Sequence, residues 1–66
     1  MDEVLAPDVT VQLIGEDGNA FAIIGRVRKA LKRAGHADLA AKFLEEATSG
    51  DYDHLLQICM KYVNVE

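Results

Sequence analysis

Val9-Thr10-Val11-Gln12-Leu13 alternates apolar and polar residues, and three of these five residues are β-branched. Alternation with a period of two, built from residues that favour extended backbone, predicts a half-buried strand with Val9, Val11 and Leu13 facing inward. A partly buried strand cannot leave its backbone donors and acceptors unpaired. The question that decides the fold is therefore which segment pairs with this strand.

Two partners for the strand are open at the level of the sequence. Residues 63–65 read Val-Asn-Val, which either continues the last helix or forms a short C-terminal return strand, because valine favours extended backbone. The alternative partner is the same strand of a second molecule, which would make the strand a shared element of a dimer.

Three amphipathic helices are predicted between these two segments. The first covers residues 20–34, with Asn19 as its N-cap and Gly35 just after its end. The second covers residues 37–48 and stops before Gly50, and the third follows Asp51 as its N-cap. The predicted apolar stripes are Ala20, Ile23, Ile24, Val27, Ala30, Leu31 and Ala34; Leu39, Ala40, Phe43, Leu44 and Ala47; and Tyr52, Leu55, Leu56, Cys59, Tyr62 and Val63.

The core is expected to be aliphatic, because the chain has only four aromatic residues. We expect six side chains to be largely buried: Ile24, Val27, Leu31, Phe43, Leu55 and Leu56. Gly25 interrupts the first helix, and close approach of another backbone is the simplest explanation for it.

The segments before and after the strand are predicted to be irregular. Residues 1–8 are read as a flexible acidic lead-in, because Pro7 and Asp8 avoid strands. Residues 15–19, Gly-Glu-Asp-Gly-Asn, are predicted to form a turn. Residues 9–66 then form a single small α+β domain: one N-terminal strand, a three-helix cluster, and either a return strand or a strand shared in a dimer.

The composition narrows the class of protein. The chain has 66 residues, of which 50% are apolar and 27% are charged, which is an ordinary globular balance. Cys59 is the single cysteine, so no internal disulfide can form. Neither a signal peptide nor an apolar run of membrane-spanning length is present, so we expect a cytoplasmic protein without membrane contact.

Three segments together resemble a group of short bacterial and phage-associated proteins whose function is uncharacterised. These segments are Asp17-Gly18-Asn19-Ala20-Phe21, Ala30-Leu31-Lys32-Arg33-Ala34-Gly35, and residues 47–56, Ala-Thr-Ser-Gly-Asp-Tyr-Asp-His-Leu-Leu. The resemblance covers most of the chain from Val9 onward. It implies a cytoplasmic setting, with a prophage as one origin, and it brings neither an activity nor functional residues.

The first helix concentrates the positive charge of the chain. Five of the seven basic residues lie within eight positions: Arg26, Arg28, Lys29, Lys32 and Arg33. The remaining two basic residues, against eleven acidic residues, leave the rest of the chain with a formal charge of −9. These five residues are a candidate contact face for an anionic partner, although the solvated side of an amphipathic helix would look the same.

Two nucleic-acid or phosphate motifs can be weighed against simpler structures. The first two helices could form a helix-turn-helix, but the second would read DNA with Asp38, Glu45 and Glu46 against one lysine, so a plain helix hairpin is favoured. Residues 15–18 precede a helix like a phosphate-binding loop, but they carry two carboxylates and no Lys-Ser/Thr follows, so a turn is favoured.

The remaining reactive residue types are Asp51, Asp53, His54 and Cys59. On a helix, His54 and Cys59 point in directions about 140° apart, so they do not converge on a metal or form a nucleophile–base pair. His36 and His54 are expected to be exposed. We therefore predict a non-enzyme without a cofactor, acting as a protein-interaction or regulatory domain that self-associates or binds one protein. The alternative is a nucleic-acid-associated protein that uses the basic first helix.

Overall fold

A computed structural model describes residues 4–13 and 19–66 of the chain. Strand β1 (Ala6–Val11) is followed by helices α1 (Ala20–Arg33), α2 (Ala37–Ala47) and α3 (Tyr52–Tyr62), and by strand β2 (Val63–Val65). The prediction of a small α+β domain is confirmed. The predicted turn, apart from Asn19, lies outside the described residues, as does the start of the lead-in.

The two strands pair with each other in parallel, with Ala6 opposite Val63 and Val11 opposite Val65. Residues 63–65 are therefore a return strand, and the pairing is made within one molecule. The hydrogen bonds continue past the strand ends, since the Leu13 amide donates to the Glu66 carbonyl over 2.8 Å and the Leu5 amide to the Lys61 carbonyl over 3.0 Å. The three helices form the crossover between the strands.

Strand β1 begins three residues earlier than predicted and ends at Val11 instead of Leu13. Residues 6–8 of the predicted lead-in belong to this strand, and Ala6 is fully buried. The register is irregular between Ala6 and Thr10. At this irregularity the side-chain amide of Asn64 donates to the Pro7 carbonyl over 2.9 Å. Pro7 has no N–H to give to the ladder, and it is tolerated because it lies at an irregularity of an edge strand.

The helix ends follow local capping rules. The Asn19 side chain accepts from the Phe21 amide over 2.9 Å, and the Asp51 side chain accepts from the His54 amide over 2.9 Å. Gly35 has a φ of +85°, the left-handed conformation that commonly follows a helix. Both predicted N-caps and this C-terminal glycine are confirmed.

The core lies between the sheet and the helices, and five of the six side chains expected in it are buried. Leu56 is only partly buried, because the buried side of α3 is Leu55, Ile58, Cys59 and Tyr62, a stripe rotated from the predicted one. Tyr52 is 43% exposed, and Ala34 is exposed beyond the end of α1. A Cβ at Gly25 would meet nothing within 4 Å among the described residues, so no backbone approaches it there.

Candidate interaction surface

Among the described residues, a cleft lies between the outer edge of β1 and one side of α1. Its strand wall is formed by Thr10, Val11 and Gln12, and its volume is about 300 Å³. Its helix wall carries Arg26, Lys29, Ala30 and Arg33. A second depression continues along the same edge to Asp8 and Ala34. We call this surface the β1–α1 cleft; it runs from Asp8 on β1 to Gln12, the residue after β1, and from Arg26 to Arg33 on α1.

The strand wall of this cleft is a sheet edge. The carbonyls of Pro7 and Val9 accept from the Asn64 side chain, and the Val11 carbonyl accepts from the Glu66 amide. Val9, Val11 and Leu13 direct their backbone groups towards β2, and successive residues of a strand direct theirs to alternate edges. The N–H and C=O groups of Thr10 and Gln12 therefore face the cleft. In the described part of the chain, the sheet has two strands and none lies on this edge.

The five basic residues predicted to form one face are divided between different sides of α1. Arg26, Lys29 and Arg33 recur at i, i+3 and i+7, so they share the side that borders the cleft. Arg28 lies two residues from Arg26 and so points to another side of the helix. Of the five residues of the candidate contact face, Arg26, Lys29 and Arg33 line this cleft.

Arg28 and Lys32 have different surroundings from the three cleft residues. Arg28 is half-buried, and its Nε atom has no hydrogen-bond partner among the described residues. Lys32 is exposed and lines none of the depressions at this edge. These two side chains can therefore be changed without altering the cleft wall.

One carboxylate lies at the end of the cleft, but it already has a partner. Both Asp8 oxygens are 3.1 Å from His36 Nε2, and this hydrogen bond lowers the pKa of Asp8 below its usual value. His36 is partly buried, contrary to the prediction that it is exposed, because it closes the gap between β1 and the start of α2. The Asp8 carboxylate is thus held by His36.

The residues considered as a reactive cluster join α2 to α3 instead. His54 Nε2 is 3.0 Å from the Glu46 carbonyl, which can only accept, so Nε2 carries the hydrogen. Ser49 Oγ is 3.2 Å from the same nitrogen. His54 therefore satisfies the C-terminal end of α2, and it is partly buried rather than exposed as predicted. Asp51 is occupied as the cap of α3.

Cys59 is fully buried in the core, away from this junction. Burial raises the pKa of its thiol to about 11, so the thiolate is scarcely populated at neutral pH. The thiol is consequently a small apolar core group and a poor nucleophile.

Glu46 links α2 to the C-terminal end of α3 through side-chain hydrogen bonds. Its carboxylate accepts from the Tyr62 hydroxyl and from Lys61 Nζ, the latter over 3.0 Å. These contacts lower the pKa of Glu46, and burial together with Glu46 raises the pKa of Tyr62 to about 12. The Tyr62 ring packs edge-on against Phe43 with centroids 5.5 Å apart. This network is structural.

Another depression, which is apolar, lies between the start of α1 and the start of α3. Phe21, 85% exposed, and Tyr52 stand at its rim, above Ile24 and Leu55. The sequence pattern did not single out Phe21, and it placed Tyr52 in the core. An exposed aromatic residue off the main stripe is the signal that could have found this surface.

Residues 4–13 and 19–66 contain neither a metal-binding cluster nor a membrane-spanning helix. No group of three or more His, Cys, Asp or Glu side chains there could hold a metal ion. No helix in these ranges has the length and apolar character needed to cross a membrane. Residues 15–18, for which a turn is favoured over a phosphate-binding loop, fall outside these ranges.

Comparison of the chain with protein-family models, with curated proteins and with solved structures finds no match. The function is therefore argued from the surfaces of the molecule.

Proposed function

We propose that this chain is a small non-enzymatic interaction domain that binds an acidic segment of another protein in the β1–α1 cleft. The observation that carries the proposal is the placement of Arg26, Lys29 and Arg33 along one wall of that cleft. A concentration of cationic side chains beside polar backbone favours an anionic partner. The rest of the chain has four basic residues against eleven acidic ones, a formal charge of −7, which would repel the same partner and so orient it towards this wall.

Exposed ion pairs contribute only about 0–1 kcal/mol each, so folding does not require three cations in this position. Helix-dipole compensation accounts for a basic residue in the last turn, such as Arg33, but not for Lys29 further back. A contact with another molecule gives Lys29 a role that stability does not.

The non-enzymatic part of the proposal rests on the fate of the reactive residue types. His54 is used to cap α2, Asp51 to cap α3, and Cys59 is buried with a raised pKa. A nucleophile activated by a neighbouring base is therefore not assembled from them. The single unpaired thiol also suits a reducing compartment, so we place the domain in the cytoplasm.

A direct test compares two double variants of equal charge change. Lys29→Glu with Arg33→Glu reverses two cations in the cleft, whereas Lys32→Glu with Lys42→Glu reverses two exposed lysines elsewhere. Each protein and the wild type would be immobilised and exposed to a lysate of the native host, with and without nuclease treatment. We expect partner proteins bound by the wild type and by the second variant to be lost from the first, and to elute as salt is raised.

Several results would overturn this proposal. Equal capture by all three proteins would place the contact elsewhere, for example on the apolar surface around Phe21. Binding that disappears with nuclease treatment would favour the alternative function, a nucleic-acid-associated protein. Concentration-dependent dimerisation of the isolated protein, lost in the cleft variant, would make self-association the role of this surface.

A further inference from the structure

We propose that the acidic segment binds as an added β-strand on the outer edge of β1, extending the two-stranded sheet to three strands. This inference rests on the proposed function and specifies how the partner is held. It predicts that backbone hydrogen bonds, and not charge alone, determine the affinity.

The backbone geometry carries the first part of the inference. Hydrogen bonds towards β2 use Val9, Val11 and Leu13, so the N–H and C=O groups of Thr10 and Gln12 face the cleft. The side chains of these two residues are exposed, whereas Val9 and Val11 are buried. An incoming strand could therefore approach the edge without displacing any core side chain. Two-stranded sheets are marginal by themselves, so a third strand would add stability.

The charge of the helix wall identifies the occupant. A strand added to this edge would place every second side chain against α1, because side chains alternate between the two faces of a sheet. Those side chains would meet Lys29 and Arg33, with the small Ala30 between them. Glutamate or aspartate at alternate positions, with β-branched residues between, matches this wall.

Charge also disfavours a second copy of the chain as the occupant. Antiparallel pairing of β1 with its own copy about a two-fold axis would bring Lys29 and Arg33 of both molecules to the same side of the joined sheet. Like charges in this arrangement are repulsive, and nothing on β1 supplies acids to offset them, since Asp8 is already bonded to His36. The favoured partner is an extended acidic peptide.

The test uses a short synthetic peptide of alternating glutamate and threonine, with a lysine–threonine peptide as its control. Two further versions of the acidic peptide carry backbone N-methyl groups on one or the other alternate set of amides. Only one set can face β1, so one methylated peptide should lose at least about tenfold in affinity and the other should bind nearly as the parent. Binding is measured by calorimetry and by the amide NMR signals of Thr10 and Gln12.

A substitution in the protein tests the same backbone hydrogen bonds between β1 and the peptide. Thr10→Pro removes an N–H that faces the cleft and no hydrogen bond to β2, whereas Thr10→Val keeps that N–H. We expect the proline variant to lose at least about tenfold in affinity for the acidic peptide and the valine variant to keep it. Thermal unfolding of each variant checks that the domain is folded, and the methylated peptides do not depend on that check.

The outcomes separate this inference from the proposed function. Acidic-peptide binding that Lys29→Glu with Arg33→Glu abolishes, but that both methylated peptides and Thr10→Pro retain, would refute strand addition and leave the acidic-partner proposal standing. Failure of the wild type to bind the acidic peptide would also refute strand addition. Capture from the lysate that the Lys29→Glu with Arg33→Glu variant retains would refute the proposed function itself.

Discussion

Gly50 lies between α2 and Asp51, the N-cap of α3, and it is close to the His54 side chain. A Cβ at this position would lie 2.7 Å from Cγ, 2.8 Å from Cδ2 and 2.9 Å from Cβ of His54. The sequence pattern predicts a helix stop here, and α2 does end before it. The reason for glycine, however, is the His54 side chain that caps α2, not a left-handed backbone, because Gly35 is the positive-φ glycine among the described residues.

Replacing Gly50 by alanine should lower the free energy of unfolding by about 1–3 kcal/mol, because the added methyl group overpacks against His54. The measurement is urea unfolding followed by circular dichroism. Gly25→Ala is the matched control: its Cβ meets nothing within 4 Å, and α1 should gain up to about 1 kcal/mol. In a His54→Ala background the Gly50→Ala penalty should shrink, since two of the three close atoms are removed; an undiminished penalty would contradict this explanation.

Phe43 is a second single residue on which the packing of the helices depends. It is fully buried on α2 and meets the Tyr62 ring of α3 edge-on. Phe43→Ala should cost about 3–5 kcal/mol, which is a large share of the stability of a domain this small. Thermal unfolding should show a large drop in Tm or no cooperative transition. A Tm close to that of the wild type would mean that Phe43 is not in the core.

At the scale of elements, the helices were predictable and the strand boundaries were not. Helix ends depend on caps within a few residues, such as Asn19 and Asp51, so their signals are local. The start of β1 depends on Asn64, more than fifty residues away, which supplies a hydrogen bond to the Pro7 carbonyl. Neither the acceptance of Pro7 in the strand nor the parallel direction of the pairing can be read from local pattern.

The candidate site divides in the same way. The clustering of basic residues on the first helix is visible in the sequence, and helical spacing alone separates Arg28 from Arg26, Lys29 and Arg33. What spacing cannot provide is the other wall of the cleft, because that wall is a strand edge brought there by the fold. Likewise, Ile58 was left out of the predicted core because the buried side of α3 is decided by its neighbours.

The edge of β1 makes a prediction about the strand as an element. Amide hydrogens of Val11 and Leu13 should exchange slowly because they face β2, and the Leu13 amide donates to Glu66 over 2.8 Å. Amides of Thr10 and Gln12 should exchange faster because they face the cleft. Hydrogen exchange followed by NMR measures all four. A Leu13 amide that exchanges as fast as the Gln12 amide would show that Leu13 is not hydrogen-bonded to Glu66. The assignment of the edge of β1 that faces the cleft would then be wrong.

For the whole molecule, two carboxylates tie stability to pH. The pKa of Asp8 is lowered by its hydrogen bond to His36, and that of Glu46 by hydrogen bonds from Tyr62 and Lys61. A group whose pKa is lower in the folded state stabilises the fold above its unfolded pKa, here 3.8 for aspartate and 4.5 for glutamate. That contribution is lost as pH falls through the lower, folded pKa.

The Tm should therefore be nearly constant from neutral pH down to about pH 5 and then fall steadily with further acidification. Glu46→Gln keeps a side chain of the same shape without the titrating charge, so its Tm should be lower at neutral pH and should fall less between about pH 5 and pH 2. Scanning calorimetry of both proteins across this range gives the comparison. Parallel curves for the two proteins would mean that Glu46 does not contribute to the acid transition.

The charge of the whole molecule also decides between the two classes of anionic partner. Affinity for duplex DNA grows with the number of phosphates neutralised, and the cleft offers three cationic side chains: Arg26, Lys29 and Arg33. The chain carries eleven acidic residues against seven basic ones, so its net charge disfavours a phosphate backbone. Screening at physiological salt, over roughly 8 Å, further weakens what three cationic side chains can contribute.

We therefore expect no measurable binding of labelled duplex DNA at physiological salt. Titration of the wild type, the Lys29→Glu with Arg33→Glu variant and the Lys32→Glu with Lys42→Glu variant by fluorescence anisotropy provides the test. Weak binding at low salt that both charge variants reduce equally would reflect net charge alone. Micromolar binding at physiological salt, lost only in the cleft variant, would show that the cleft holds a phosphate backbone, and nucleic acid would replace the acidic protein segment as its partner.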